Sequence, residues 1–310
     1  MARKNKMSME FGFYPLGLDL TDTRFSITSH PDREKRVSNV RNNSAAINGW
    51  FYASLMERRG ESGEIIVPPG RIFGLPRTHM ITITDVANED EVKFVIWCLS
   101  FFLGLRLTTE ECGFIDATPI ERRKLNDFYA GEPSIKAGVN LAIRFVDKHT
   151  CDARSLKRIE AIIHALFMAQ NPQALCFERF QYLYMALDAC YRQVFGPRTK
   201  ERHDINHNKR IEWLCNQFNM VVPPWATKQG RTMDSLSSTT RNNSIHEGLF
   251  FDEPLGFSVF GGNAQPDDDG IILQMENIIC RVLVAILGKP DAKYVTSPYS
   301  DRQYVVLDLV

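Results

Sequence analysis

Net charge is the first thing this chain lacks: 37 lysines and arginines are matched by 37 aspartates and glutamates over 310 residues. The balance removes any long-range attraction to nucleic acid, so a polyanion would have to be held by a local patch. A disulfide frame and a thiolate metal site are missing too. The seven cysteines, at 98, 112, 151, 176, 190, 215 and 280, are odd in number, far apart and never in a Cys-x-x-Cys pair. That usage predicts free thiols, several of them buried, in a reducing compartment. No apolar run is long enough to cross a bilayer. The longest, 94–105, includes Ser100 and Gly104 and falls short of the roughly 20 residues a spanning helix needs. The charged stretch 1–6 leads into no sustained apolar segment of the secretory kind. These absences predict a cytoplasmic protein with no membrane partner. A run of three aspartates, at 267, 268 and 269, precedes an apolar helix pattern, where carboxylates act as caps. Neither a metal nor a cofactor is predicted.

What is present changes character near residue 150. Before it, alternation and β-branched content predict strands at 11–20, 24–28, 64–67 and 80–84. Pro68-Pro69-Gly70 and Gly74-Leu75-Pro76 read as turns between them. Residues 91–105 predict a buried amphipathic helix ending at Gly104. His30 and His79 stand alone here, and a structural or solvated role is expected for both. After residue 150 the period turns helical. Leu156, Ile159, Ile162, Ile163, Leu166 and Phe167 follow three-four spacing up to Asn171-Pro172. Further helices are predicted at 175–194, stopping at Gly196-Pro197, and at 211–220, stopping before Pro223-Pro224. A fourth is opened by the hydroxyl-rich run 234–240 and closed by Gly248. A last, strongly apolar helix at 271–287 and a short strand at 304–309 end the chain. The fold class expected is α+β: a mixed, partly β N-terminal region over 1–149, then an all-α antiparallel bundle over 150–310.

The fourth predicted helix carries the chemistry. Arg241 is followed by Asn242, and then by His246, Glu247 and Gly248. A permanently charged donor beside a group that titrates near neutral pH can act on a phosphodiester without a metal. Spacing alone does not select this pair. Arg24/His30, Arg144/His149, Arg158/His164, Arg198/His203 and Arg202/His207 also satisfy Arg-x(4–6)-His. Of the six pairs, only the one that starts at Arg241 has Asn after its arginine, and only His246 is followed by Glu-Gly. Arg41-Asn42-Asn43-Ser44 repeats the front of the motif without a histidine.

With these residues the chain resembles the HEPN family, whose signature is Arg, often Asn, four to six residues, then His. The resemblance covers about residues 150–290. It is closest to the Apea-like branch, in which a short, partly β region precedes the bundle; the Phe101-Phe102-Leu103-Gly104-Leu105 stretch has the same look. The resemblance implies a HEPN-type helical bundle and a metal-independent endoribonuclease. Its catalytic residues would be Arg241, Asn242 and His246, acting at a site that two subunits build together in a homodimer or higher even oligomer. It also implies RNA, with tRNA a candidate, as substrate, and a role as a toxin or anti-phage abortive-infection effector. The basic connection 198–210, through Arg202, Lys209 and Arg210, is the expected RNA-contacting surface. Two other readings stay open: a catalytically inactive HEPN module for dimerisation or partner binding, and a partner of a separately encoded nucleotidyltransferase.

Overall fold

The computed structural model describes residues 5–53, 58–59, 62, 65–66, 72–111, 113–115, 117–150, 152–198, 204–227, 268–299 and 305–310. The fold is mixed α+β, with its larger sheet near the N-terminus. The chain divides into two compact units: Met1–Leu125 with Ile135–Ile143, and Asn126–Ser134 with Arg144–Val310.

The first unit is built on an antiparallel sheet of β1 (Asn5–Phe11), β2 (Leu20–Thr21), β3 (Phe25–Ser29) and a longer strand at His79–Val86, in the order β1, His79–Val86, β3, β2. The His79–Val86 strand alternates along its length, burying His79, Ile81 and Ile83, as period-two side-chain geometry requires of a half-covered strand. Between β3 and that strand lie α1 (Arg33–Arg41), β4 (Ala46–Ile47), β5 (Trp50–Tyr52), β6 (Arg58–Arg59), β7 (Ile65–Ile66) and β8 (Ile72–Phe73). His79–Val86 is therefore β9. Helix α2 (Glu89–Leu103) packs against β1 and β9. It starts where the Asn88 side chain accepts the Glu91 N–H at 3.1 Å, and it stops at Gly104, whose φ of 60° is left-handed; both are strong end signals. Two short strands follow, β10 (Phe114–Ile115) and β11 (Ala117–Pro119), pairing with β8 and β5. A smaller core of Phe13, Val37, Val40, Phe51, Leu75, Phe114 and Ile120 fills the space beside them.

The strand expected at 11–20 is displaced. The ladder is β1, ending at Phe11. Gly12 lies so close to the 76–78 backbone that an added Cβ would sit 2.6 Å from the Pro76 carbonyl, and Pro15 has no N–H to give a ladder.

The second unit is mainly helical. After β12 (Phe128–Ala130) and α3 (Glu132–Lys148), whose middle turns belong to the first unit, come α4 (Ala153–Ala169), α5 (Cys176–Arg198), α6 (Arg210–Gln217), α7 (Asp268–Ile286) and α8 (Lys293–Thr296). Strand β13 (Val305–Leu307) pairs in parallel with β12. Helices α4 and α5 run antiparallel: Arg179 donates to the Ala169 carbonyl at 2.8 Å at one end, and Gln193 to the Ser155 hydroxyl at 3.0 Å at the other. α5 also packs against α6 and α7. Helix α5 passes through Gly196-Pro197 to Arg198 instead of stopping there. Helix α6 is shorter than expected, ending before Asn219, which takes a left-handed φ of 53°. Helix α7 is buried on almost every side, with Met275, Ile278, Ile279, Val282, Leu283 and Val284 all at 0% exposure. A helix buried all round serves its own core, so its apolar content is consumed within one chain and does not argue for an interface. Among the described residues, no helix is long and apolar enough to cross a membrane. Cys98, Cys190, Cys215 and Cys280 are buried free thiols, and Cys176 is an exposed one.

Candidate functional site

Arg241, Asn242 and His246 lie in the segment 228–267, outside the described residues, as does Arg202. The described part of the expected site is the end of the 198–210 connection and the face of α5 behind it. On α5, Tyr184, Asp188, Tyr191 and Arg192 recur at three-four spacing, which places them on one helical face.

Arg210, at the start of α6, is drawn onto that face. Its Nε donates to the Ile205 carbonyl at 3.0 Å, its Nη2 to Asp204 at 3.1 Å, and its Nη1 to Asp188. The guanidinium carbon lies 4.6 Å from the centre of the Tyr191 ring, and the residue is only 5% exposed. Two carboxylates and a carbonyl therefore occupy its donors, and it joins α6 to α5 instead of facing solvent. Lys209, its neighbour, is exposed.

Asp204 is the hub on the other side. It accepts from the Tyr191 hydroxyl at 2.7 Å and from Arg192 at 2.8 Å as well as from Arg210. The Tyr191 hydrogen bond, followed by the Arg210 charge, holds its carboxyl below the usual range. Burial pushes the Tyr191 phenol up.

His207 sits at the exposed edge of this cluster. Its Nδ1 is 3.1 Å from Arg210 Nη1, 3.3 Å from the Tyr184 hydroxyl and 3.8 Å from Asp188. Arginine can only donate, so Nδ1 accepts and the neutral ring carries its proton on Nε2. With a side chain 42% exposed, the ring is held through Nδ1 and, when neutral, presents Nε2 as a hydrogen-bond donor. The surrounding charges compensate one another: Arg192 and Arg210 face Asp188 and Asp204. Among the described residues, the cluster holds 204–210 against α5 and presents no excess of positive charge.

A second polar group is fully enclosed. Arg281 of α7 is 1% exposed and donates to Asp127 at 2.5 Å, to the Asn277 carbonyl at 3.0 Å, to the Ser297 hydroxyl at 3.1 Å and to the Pro298 carbonyl at 2.8 Å. Tyr294 donates its hydroxyl to the other Asp127 oxygen. Burial pushes the Asp127 carboxyl up, while Arg281 and Tyr294 hold its charge. One turn earlier, burial and then the Asp127 charge push Glu276 up to about 7. This network ties β12, α7 and the 294–299 segment together, and its enclosure bars substrate from it. Its signal in the sequence is a lone arginine in an apolar helix.

In the first unit, His79 is fully buried against Phe11 and Tyr14, with Nδ1 2.9 Å from the Thr78 hydroxyl. Burial, reinforced by the Arg33 charge, lowers its pKa to about 4. It is a neutral core histidine. His30 lies 3.1 Å from Glu10. Among the described residues, no group of three or more His, Cys, Asp or Glu side chains is arranged to hold a metal ion.

Compared with family models, with curated proteins and with solved structures, the chain matches none.

Proposed function

We propose that this protein is a HEPN-type, metal-independent endoribonuclease whose reacting groups are His246, Arg241 and Asn242. The observation that carries the reading is the sequence Arg241-Asn242 with His246-Glu247-Gly248, the one Arg-x(4–6)-His match in the chain with that context. It is supported by the order of elements around it. Three helices, α4, α5 and α6, precede the motif segment and the apolar α7 follows it, as the family resemblance implies for a helical bundle with the motif on a late helix.

The chemistry follows from the residue types. His246 takes the proton of an RNA 2′-hydroxyl, or delivers one to the departing 5′-oxygen. The 2′-oxygen attacks the adjacent phosphorus and the P–O5′ bond breaks, leaving a 2′,3′-cyclic phosphate and a 5′-hydroxyl. Arg241 balances the charge that develops on the phosphoryl oxygens, and Asn242 orients the histidine or holds a phosphate oxygen. On an ideal helix Asn242 and His246 share a face, whereas Arg241 and His246 are rotated by roughly 140°. A pair splayed in this way is completed most simply across a twofold axis, so the active species is a homodimer or higher even oligomer. Exposed Lys209 contacts RNA, with tRNA a candidate; Arg210, committed to Asp188 and Asp204, does not. The biological setting, a cytoplasmic toxin or anti-phage effector, rests on the family resemblance.

The test is to incubate the purified protein with total RNA and with tRNA in the presence of chelator, and to map the new ends. The expected products carry cyclic phosphate and 5′-hydroxyl. Ends bearing 5′-phosphate, or no cleavage of any RNA, would overturn the reading.

A further inference from the structure

After α2 the chain folds back around a cavity of about 170 Å³ in the first unit, lined by Lys93, Trp97, Arg106, Thr108, Thr109 and Glu110 among others. Its walls are pinned. The Ser100 hydroxyl accepts the Leu107 N–H at 3.1 Å, and Thr108 and Gly12 exchange backbone hydrogen bonds at 2.5 and 3.0 Å. Gly113 leaves no room to move, since a Cβ there would lie 2.0 Å from Thr108 Oγ1.

Half-buried Arg106 stands apart from the enclosed Arg210 and Arg281. Arg210 and Arg281 are both answered by carboxylates. Arg106 is placed by aromatic faces alone, with its guanidinium carbon 5.8 Å from the Trp97 ring centre and 5.9 Å from that of Phe114. Among the described residues it has neither a hydrogen-bond acceptor nor an ion-pair partner, and its Nε is buried without one. Burial lowers its pKa. Holding a partly desolvated guanidinium, its Nε buried, without a counter-charge is unfavourable, and its flat edge matches a two-oxygen acceptor. The lining is net positive by one, because Lys93 pairs with Glu110 at 3.2 Å and leaves Arg106 over. Thr108 Oγ accepts the Glu110 N–H at 3.0 Å, so its own proton is available to a ligand.

We propose that this cavity binds a small oxyanion, the carboxylate or phosphate group of a small molecule, which neutralises Arg106 and accepts from Thr108. At roughly 30 Å³ per water molecule, the space suits one such group and not a stretch of polymer. The proposal is independent of the ribonuclease reading.

The test is a titration of the full chain with sodium phosphate, sodium acetate and sodium chloride at constant ionic strength, followed by melting temperature and tryptophan fluorescence. Phosphate or acetate should raise the melting temperature saturably and change the emission, and the stronger of the two identifies the group; chloride should do neither. Arg106→Gln should weaken binding at least tenfold, yet melt no lower than the wild type in ion-free buffer, because it removes an unanswered charge. Glu110→Gln, at an exposed side chain, should bind several-fold tighter. A wild type that responds to none of the ions, or equally to chloride, overturns the proposal, as does an Arg106→Gln protein with wild-type affinity. If Arg106→Gln does not fold, Glu110→Gln decides, and unchanged affinity there counts against the site.

Discussion

Glu276 keeps a carboxyl group where burial pushes its pKa from 4.5 to about 7. Between those values the folded chain holds a proton that the unfolded chain has lost. Its contribution to stability therefore falls as pH rises through that window and is constant above it. Glu276→Gln should abolish this slope and be more stable than the wild type at pH 8, by up to about 3 kcal/mol at 1.36 kcal/mol per pK unit. His79 works the other way. Its pKa falls from 6.5 to about 4 on folding, so its contribution is intact above pH 6.5 and is lost as pH drops towards 4. Denaturant melts of Glu276→Gln from pH 4 to 8 should consequently show stability rising up to about pH 6.5, and His79→Phe in the same background should flatten that rise. A Glu276→Gln protein that is less stable than the wild type at pH 8 would show that the carboxylate is answered in the fold. Arg281 carries no such reserve. Arg281→Ala leaves Asp127 buried beside it without its cation, and loss of one partner of a buried pair costs about 3–5 kcal/mol; a melting temperature within a degree or two of wild type would contradict that role.

Helix α3 meets α2 at a glycine. A Cβ on Gly138 would lie 2.7 Å from the ring of Phe102, which is itself 1% exposed and has nowhere to go. Gly138→Ala should therefore destabilise by about 1–3 kcal/mol, read by urea denaturation, despite alanine's better helix propensity; a more stable variant would show that the two helices can separate freely. Helix α3 went unread although Ile135, Val139, Ala142, Ile143 and Val146 repeat at three-four spacing along it and are buried. Helix α1 was missed because Val37 and Val40 are its only buried residues. Helices α2, α4 and α7 were legible, since each repeats apolar residues over several turns and ends at a recognisable stop. The Arg241/His246 pair is legible only as sequence. The Asp188–Arg210 and Asp127–Arg281 pairs were invisible there, because they join residues 22 and 154 positions apart. Arg106 was equally hidden, since the lack of a partner is a tertiary fact.

At the scale of the whole molecule, the account requires self-association. Helix α7, buried within one chain, supplies no argument for that association; it rests on the proposed sharing of Arg241 and His246 between subunits. Light scattering at micromolar concentration should give a dimer or a higher even oligomer, and a monomer with full ribonuclease activity would refute the shared site. His207→Ala, at the edge of the Asp188/Arg210 cluster, should lower RNA affinity modestly at most and leave the cleavage step intact. The most direct measurement is the single-turnover rate of RNA cleavage by His246→Ala, in chelator, on protein shown by circular dichroism and light scattering to keep its fold and association. Losing a proton-transfer group should lower that rate about 100- to 10,000-fold, with Arg241→Ala comparably impaired and Asn242→Ala less so. A folded His246→Ala protein that cleaves at the wild-type rate, or one that stays active while His207→Ala is inert, would contradict the assignment.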